Sequence, residues 1–187
     1  MPRVRTFVAI PLPDPVRDAL AALRSSAPPG APVRWVAPRS MHLTLKFLGE
    51  IEPDALEAVK AALESFPWNL TPFAFTLSGV GAFPGVKRPR VLWVGVTDGA
   101  DRVVELAEKV ERALGPLGFP REERAFSPHL TLGRVNGPGP GGWAEVFATN
   151  ARFAPVEVRA TAFSLYESKL LPTGAQYAPL LTVGFGA

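Results

Sequence analysis

Apolar residues along this chain follow two rhythms, one of period two and one of about three and a half, and they alternate in nearly the same order in each half. Arg5 to Ile10 is an aromatic and β-branched run that reads as a strand. Pro11-Leu-Pro-Asp-Pro15 ends it and starts a helix over Val16 to Ser25. Strand-like segments follow at Val33 to Val36 and His42 to Leu48. A helix opened by Glu52-Pro53-Asp54 then runs to Phe66 with Leu56, Val59, Ala62 and Leu63 on one face, and Phe73 to Leu77 returns as a strand. The second half repeats the order. A strand at Val91 to Val96 precedes a helix from Asp101 to Leu114, whose stripe is Val104, Leu106, Ala107 and Val110. After it come a strand at His129 to Val135, a short helix at Trp143 to Thr149, strand-like Val156 to Tyr166, and a last strand near Leu180 to Phe185.

This order predicts an α+β fold. Two duplicated β-α-β-α-β units related by a pseudo-two-fold axis would form two lobes of a single domain over residues 1–187, with mostly antiparallel sheets facing a central cleft. Proline- and glycine-rich stretches at Ser26 to Pro32, Gly79 to Pro89 and Gly137 to Gly142 read as surface loops between elements.

The chain has 2 histidines, and each opens the same tetrapeptide, His42-Leu-Thr-Leu45 and His129-Leu-Thr-Leu132. Side chains alternate faces along a strand, so His42 and Thr44 share one face, His129 and Thr131 share another, and the leucines turn to the core. Each strand then offers one proton-transfer group beside one hydroxyl donor. A duplicated fold would bring both to one cleft, where they would surround a small anion. One histidine in a strand is ordinarily a half-buried polar residue. Two identical motifs that use every histidine at equivalent points of a duplication favour a site.

Composition narrows the setting. There are 187 residues, 47% of them hydrophobic, enough for a substantial core. With 0 cysteines there is neither a disulfide framework nor a thiolate metal site. A net charge of +3 permits an acidic partner without identifying one. No signal-like segment and no apolar run of about 20 residues occurs, so a soluble, cytoplasmic, monomeric protein with no membrane contact is expected.

The chemistry suits a phosphodiester. Imidazoles titrate near pH ~6.5, so one can act as base and the other as acid at neutral pH, each role contributing roughly 10²–10⁴-fold. The threonine hydroxyls would donate to non-bridging phosphate oxygens. This chemistry needs no metal or cofactor, and two histidines without a carboxylate cluster are too few ligands for a typical zinc site. Ser127 precedes His129 by two residues, but no nucleophile-elbow pattern surrounds it. Neither a P-loop nor a dinucleotide fingerprint is present.

With His42-Leu-Thr-Leu-Lys-Phe-Leu-Gly49 and Ser127-Pro-His-Leu-Thr-Leu-Gly-Arg134 in view, the chain resembles the RNA 2′,3′-cyclic phosphodiesterases, also called the 2′-5′ RNA ligase family, within the two-histidine phosphoesterases. The similarity extends through the opening Arg5 to Ile10 strand, Arg34-Trp35-Val36, Leu165-Tyr166-Glu167-Ser168, Gly174 and Tyr177. It implies hydrolysis of a terminal 2′,3′-cyclic phosphate on RNA, tRNA fragments or nucleotides to a 2′-phosphate. His42 is then the proton donor, His129 the proton acceptor, and Thr44 and Thr131 contact the phosphate. Run in reverse, the same machinery would join RNA ends through a 2′-5′ linkage.

Secondary candidates surround this set. Lys46 has the parity of His42 and Thr44, which would put a cation by the phosphate. Arg134 has the opposite parity to His129 unless the strand bulges there. Phe47 and Trp35 are candidates to stack on a base. Lys87, Arg88, Arg90, Arg121 and Arg124 are candidates to guide an RNA backbone. Two other functions fit the same motifs: a cyclic phosphodiesterase acting on a small nucleotide or ADP-ribose cyclic phosphate, and a non-catalytic RNA-binding module.

Overall fold

Strand β1 (Val4–Pro11) buries Thr6 through Ile10 without a break, as a strand paired on both edges and covered on both faces requires. In the computed structural model, which describes residues 2–137, 142–150, 154–171 and 174–186, β1 lies inside a four-stranded sheet of order β3-β1-β8-β9. Its neighbours are β3 (His42–Ile51) and β8 (Ala162–Leu171), and β9 (Gly174–Gly184) completes the sheet. A five-stranded sheet has the order β2-β6-β5-β4-β7, with β2 (Val33–Trp35), β4 (Phe73–Phe83), β5 (Val91–Val96), β6 (His129–Val135) and β7 (Val156–Ala160). Every paired neighbour is antiparallel.

The duplication is visible in the pairing. In the first sheet a motif strand, β3, lies beside β1; in the second a motif strand, β6, lies beside β5. The next strand inward is exchanged. β4, from the first half of the sequence, pairs with β5, while β8, from the second half, pairs with β1. Each unit thus completes the sheet of the other, which couples the positions of the two motif strands.

Helices cover the sheets by amphipathic stripes. Four are described: α1 (Asp14–Ala21), α2 (Pro53–Ser65), α3 (Ala100–Leu114) and α4 (Trp143–Asn150). α2 buries Leu56, Val59 and Leu63 as the spacing predicts. α3 buries Val103, Leu106, Ala107, Val110, Ala113 and Leu114, so the stripe begins at Val103 and the expected Val104 is only half-buried. The helix expected to reach Ser25 gives way after Ala21 to a 3-10 turn over Ala22–Ser26. The strand expected over Val156 to Tyr166 is broken at Thr161 into β7 and β8, which join different sheets. β4 runs past Leu77 to Phe83, taking up part of the expected loop, and most of the loop at Gly137 to Gly142 lies outside the described residues.

Candidate active site

Each motif strand carries the same local irregularity. Along β3, Thr44 pairs with Ala9 and Lys46 with Val8, so Leu45 is an extra residue. Along β6, Thr131 pairs with Trp93 and Gly133 with Leu92, so Leu132 is the extra residue. A bulge of this kind puts two residues opposite one and reverses the parity of everything beyond it. In the first sheet Pro11↔His42, Ala9↔Thr44 and Phe7↔Phe47 therefore lie on one face. In the second the shared face carries His129, Thr131 and Arg134, opposite Gly95, Trp93 and Val91.

Two secondary candidates are placed by this one feature. Lys46 is turned off the histidine face and into the interior, where it is 4% exposed. Its Nζ donates to Glu111 Oε2 of α3 at 2.6 Å and to the Pro120 carbonyl at 2.9 Å. The parity argument for Lys46 therefore fails at the bulge. Arg134 joins the histidine face because its strand bulges. Trp35 pairs with Gly133, on the side of the sheet away from His129, and lines an apolar gap with Leu23, Leu132, Trp143 and Phe147, so it offers no stacking surface to the motif. Phe47 does lie on the motif face, with 59% of its surface exposed.

The imidazoles are anchored alike. His42 Nδ1 lies 2.8 Å from the Ser40 carbonyl and His129 Nδ1 lies 2.8 Å from the Ser127 carbonyl. A carbonyl only accepts, so Nδ1 carries a proton in each ring and Nε2 is left as the nitrogen that exchanges protons. The repeat is in fact Ser-x-His-Leu-Thr-Leu, from Ser40 and from Ser127. The signal two residues upstream was visible in sequence, but its meaning, a backbone acceptor, was not. Ser40 is itself buried and its Oγ donates to the Ala175 carbonyl at 3.1 Å, tying the approach to β3 onto β9. Among the described residues neither threonine hydroxyl has a hydrogen-bond partner, so each is free to donate outward.

Aromatic collars hold both rings. Phe7 stacks on His42 with centroids 4.5 Å apart, and Tyr177 meets it edge-on at 5.0 Å. Tyr166 stacks behind Phe7 at 5.3 Å. In the other lobe Phe83 meets His129 edge-on at 5.0 Å, and Trp93 lies at 6.4 Å. Trp93 lies flat because its cross-strand partner is Gly81: a Cβ there would fall 2.2 Å from the indole. None of these positions was singled out as supporting a histidine from sequence, since aromatics in strands are most often core.

Burial lowers the His42 pKa to about 4; the hydrogen bond to Ser40 opposes this and the charge of Arg17 on α1 adds to it. The free ring is therefore neutral at pH 7. Burial also raises the Tyr177 phenol, against the pull of Arg134 and Arg5. The two motif strands are themselves in contact across the sheets. Among the described residues no three His, Asp or Glu side chains come together as metal ligands. No helix among them is long and apolar enough to cross a membrane.

Lys87, Arg88 and Arg90 are exposed on the turn between β4 and β5. Arg121 pairs with Glu108 at 3.7 Å. Together with Arg124 it lines a hollow of about 350 Å³ between α3 and the segment before β6, to which neither histidine contributes.

Comparison with known proteins gives one family. The LigT-like phosphoesterase family model matches residues 10–93 and again 94–177, one copy over each half. An RNA 2′,3′-cyclic phosphodiesterase of Thermotoga maritima is 36% identical over 183 residues, covering 97% of this chain and 96% of that protein. One of Archaeoglobus fulgidus is 34% identical over 179 residues, covering 95% and 98%. Among solved structures, E. coli LigT complexed with 3′-AMP superposes with a TM-score of 0.76 at 28% identity over 99% of both chains. The protein TT0787 of Thermus thermophilus does so with 0.76 at 30% identity over 97% of each. A repeat matched twice, relatives of equal length and a shared architecture agree, and the chain belongs to the LigT-like phosphoesterase family.

Proposed function

We propose that the protein hydrolyses RNA 2′,3′-cyclic phosphate ends to 2′-phosphates, by acid-base catalysis between His42 and His129 and without a metal ion. The observation that carries this reading is the repeated construction of the motif strands: same bulge, same Nδ1 anchor, same unpartnered threonine, on two strands in contact. Relatives named RNA 2′,3′-cyclic phosphodiesterase, and LigT structures complexed with 3′-AMP and with phosphate, support the substrate class.

In this mechanism His129 Nε2 takes a proton from water as its oxygen attacks phosphorus. The bond from phosphorus to O3′ breaks, and His42 Nε2 delivers a proton to O3′. The products are a 3′-hydroxyl and a 2′-phosphate. Thr44 and Thr131 donate to the non-bridging oxygens, where negative charge builds in the transition state. Arg134 adds a cation on the same face as His129, and Phe47 an aromatic surface beside Phe7. With an RNA 5′-hydroxyl in place of water as the nucleophile, the same displacement of O3′ forms a 2′-5′ linkage.

The test is turnover of an oligoribonucleotide ending in 2′,3′-cyclic phosphate with excess chelator present. Wild type should remain active, and His42→Ala and His129→Ala should each lose at least about 10³-fold. Dependence on added metal, or near-normal turnover by His129→Ala, would refute the mechanism.

A further inference from the structure

Arg34 and Arg134 are direct cross-strand partners in β2 and β6. Partners in an antiparallel pair share a face, and like charges placed so are destabilising. Both are exposed, and among the described residues neither has a carboxylate or carbonyl partner. The bulge at Leu132 puts Arg134, and with it Arg34, on the face of His129 and Thr131. Their neighbours Trp35 and Gly133 point to the other side. β2 is an edge strand, so Arg34 stands at the rim of this face. A like-charge pair thus stands at the end of the row that holds His129 and Thr131.

The position of the pair relative to the motif gives it a substrate. Arg134 is the next residue after Thr131 on the motif face, so the two arginines stand one step along the sheet from the groups that would hold the reacting phosphate. In the reaction proposed above His42 protonates O3′, which belongs to the terminal ribose. That ribose must then sit against His42. Its 5′ oxygen carries the phosphodiester to the preceding nucleotide, the next anion that an RNA end offers beside the reacting phosphate.

We propose that Arg34, set beside Arg134 at the rim of the cleft, binds the phosphodiester on the 5′ side of the terminal nucleotide and thereby selects an RNA chain over a mononucleotide bearing the same cyclic phosphate. The proposal rests on the cyclic phosphodiesterase reading for the direction of the substrate. A mononucleoside cyclic phosphate has no group at that position. An oligonucleotide gains a charge-assisted contact with a residue that needs no rearrangement to make it.

The experiment compares kcat/KM for uridine 2′,3′-cyclic phosphate with that for the dinucleotide UpU ending in the same group. Wild type, Arg34→Gln and Arg34→Lys are measured. Wild type should prefer the dinucleotide. Arg34→Gln should lower the ratio of the two constants about tenfold, mainly through KM, and Arg34→Lys should restore part of it. The slope of log kcat/KM against log salt for the dinucleotide should flatten by about 0.7 in Arg34→Gln. The melting temperature should stay level or rise, because a like-charge contact is removed. Equal losses on both substrates, no loss on either, or a wild-type preference for the mononucleotide would overturn the assignment. If wild type turned over neither substrate the catalytic reading would fail, and Arg34 would be judged by binding of UpU 3′-phosphate against 3′-UMP. Tighter dinucleotide binding that Arg34→Gln abolishes upholds the subsite, and equal binding removes it.

Discussion

Anion binding should load His42 with a proton. The ligand-free ring has its pKa lowered to about 4 by burial, which suits it poorly to donate a proton at pH 7. A single negative charge about 4 Å from the imidazole, at an effective dielectric of about 20, is worth on the order of 4 kcal/mol, or about 3 pKa units. A bound phosphodiester would thus return His42 to about 7, in the range where a general acid works best. Dimethyl phosphate is a suitable probe, since as a diester it keeps a constant single charge through this pH range. With 2 histidines in the chain, the imidazole resonances of a nitrogen-15 NMR titration are few, and His129→Asn identifies His42 by elimination. The expected result is a His42 midpoint near 4 without ligand and near 7 at saturation. Binding should also weaken up to tenfold per pH unit on going from about pH 4 to about pH 7. A ligand-free midpoint near 6.5, or no displacement on saturation, would refute the account of how this residue becomes an acid. The same depression affects folding. Below about 6.5 the unfolded chain takes up the proton before the native state does, so stability is lost as pH falls from there to about 4, by on the order of 3 kcal/mol. In urea unfolding, His42→Asn should remove that part of the pH slope.

Other perturbations separate chemistry from scaffold. Thr44→Val and Thr131→Val should each lower kcat on the order of 10²-fold with unchanged melting, checked by steady-state kinetics and calorimetry. Gly81→Ala should drive Trp93 off the sheet and loosen His129, costing about 1–3 kcal/mol of stability and at least tenfold in kcat. Adding Trp93→Leu to that variant should recover stability but not full activity. Lys46→Met strands Glu111 in a poorly solvated position and should cost about 3–5 kcal/mol in urea unfolding, while Lys46→Met with Glu111→Leu should lie close to wild type. Phe47→Ala should raise KM for oligonucleotides several-fold with little change in melting, because that ring is 59% exposed.

What could be read from sequence was whatever is local. The repeated His-Leu-Thr-Leu, the amphipathic stripe of α2 and the strands around Phe7 and Val94 all depend on residues within a few positions of one another. Lys46 was misplaced, and the face of Arg134 was left to hang on a bulge, because parity counting assumes an uninterrupted ladder, and the interruptions at Leu45 and Leu132 arise from pairing with β1 and β5, which are distant in the chain. The exchange of β4 and β8 between sheets has no local signature either. The two bulges also explain how a duplicated site acquires a direction. Up to the bulge the motifs match residue for residue, in Ser, His and Thr, and a pair so symmetric would treat both ends of a phosphodiester alike. Just beyond it the lobes diverge, with Phe47 on one motif face where Arg134 stands on the other, and Lys46 buried where Gly133 admits Val33 and Trp35. An aromatic surface on the β3 face and a cation pair on the β6 face would distinguish the two sides of a bound phosphate. In the proposed mechanism that distinction would let one imidazole serve as acid and the other as base on a single substrate orientation, although the two strands that hold them are built alike.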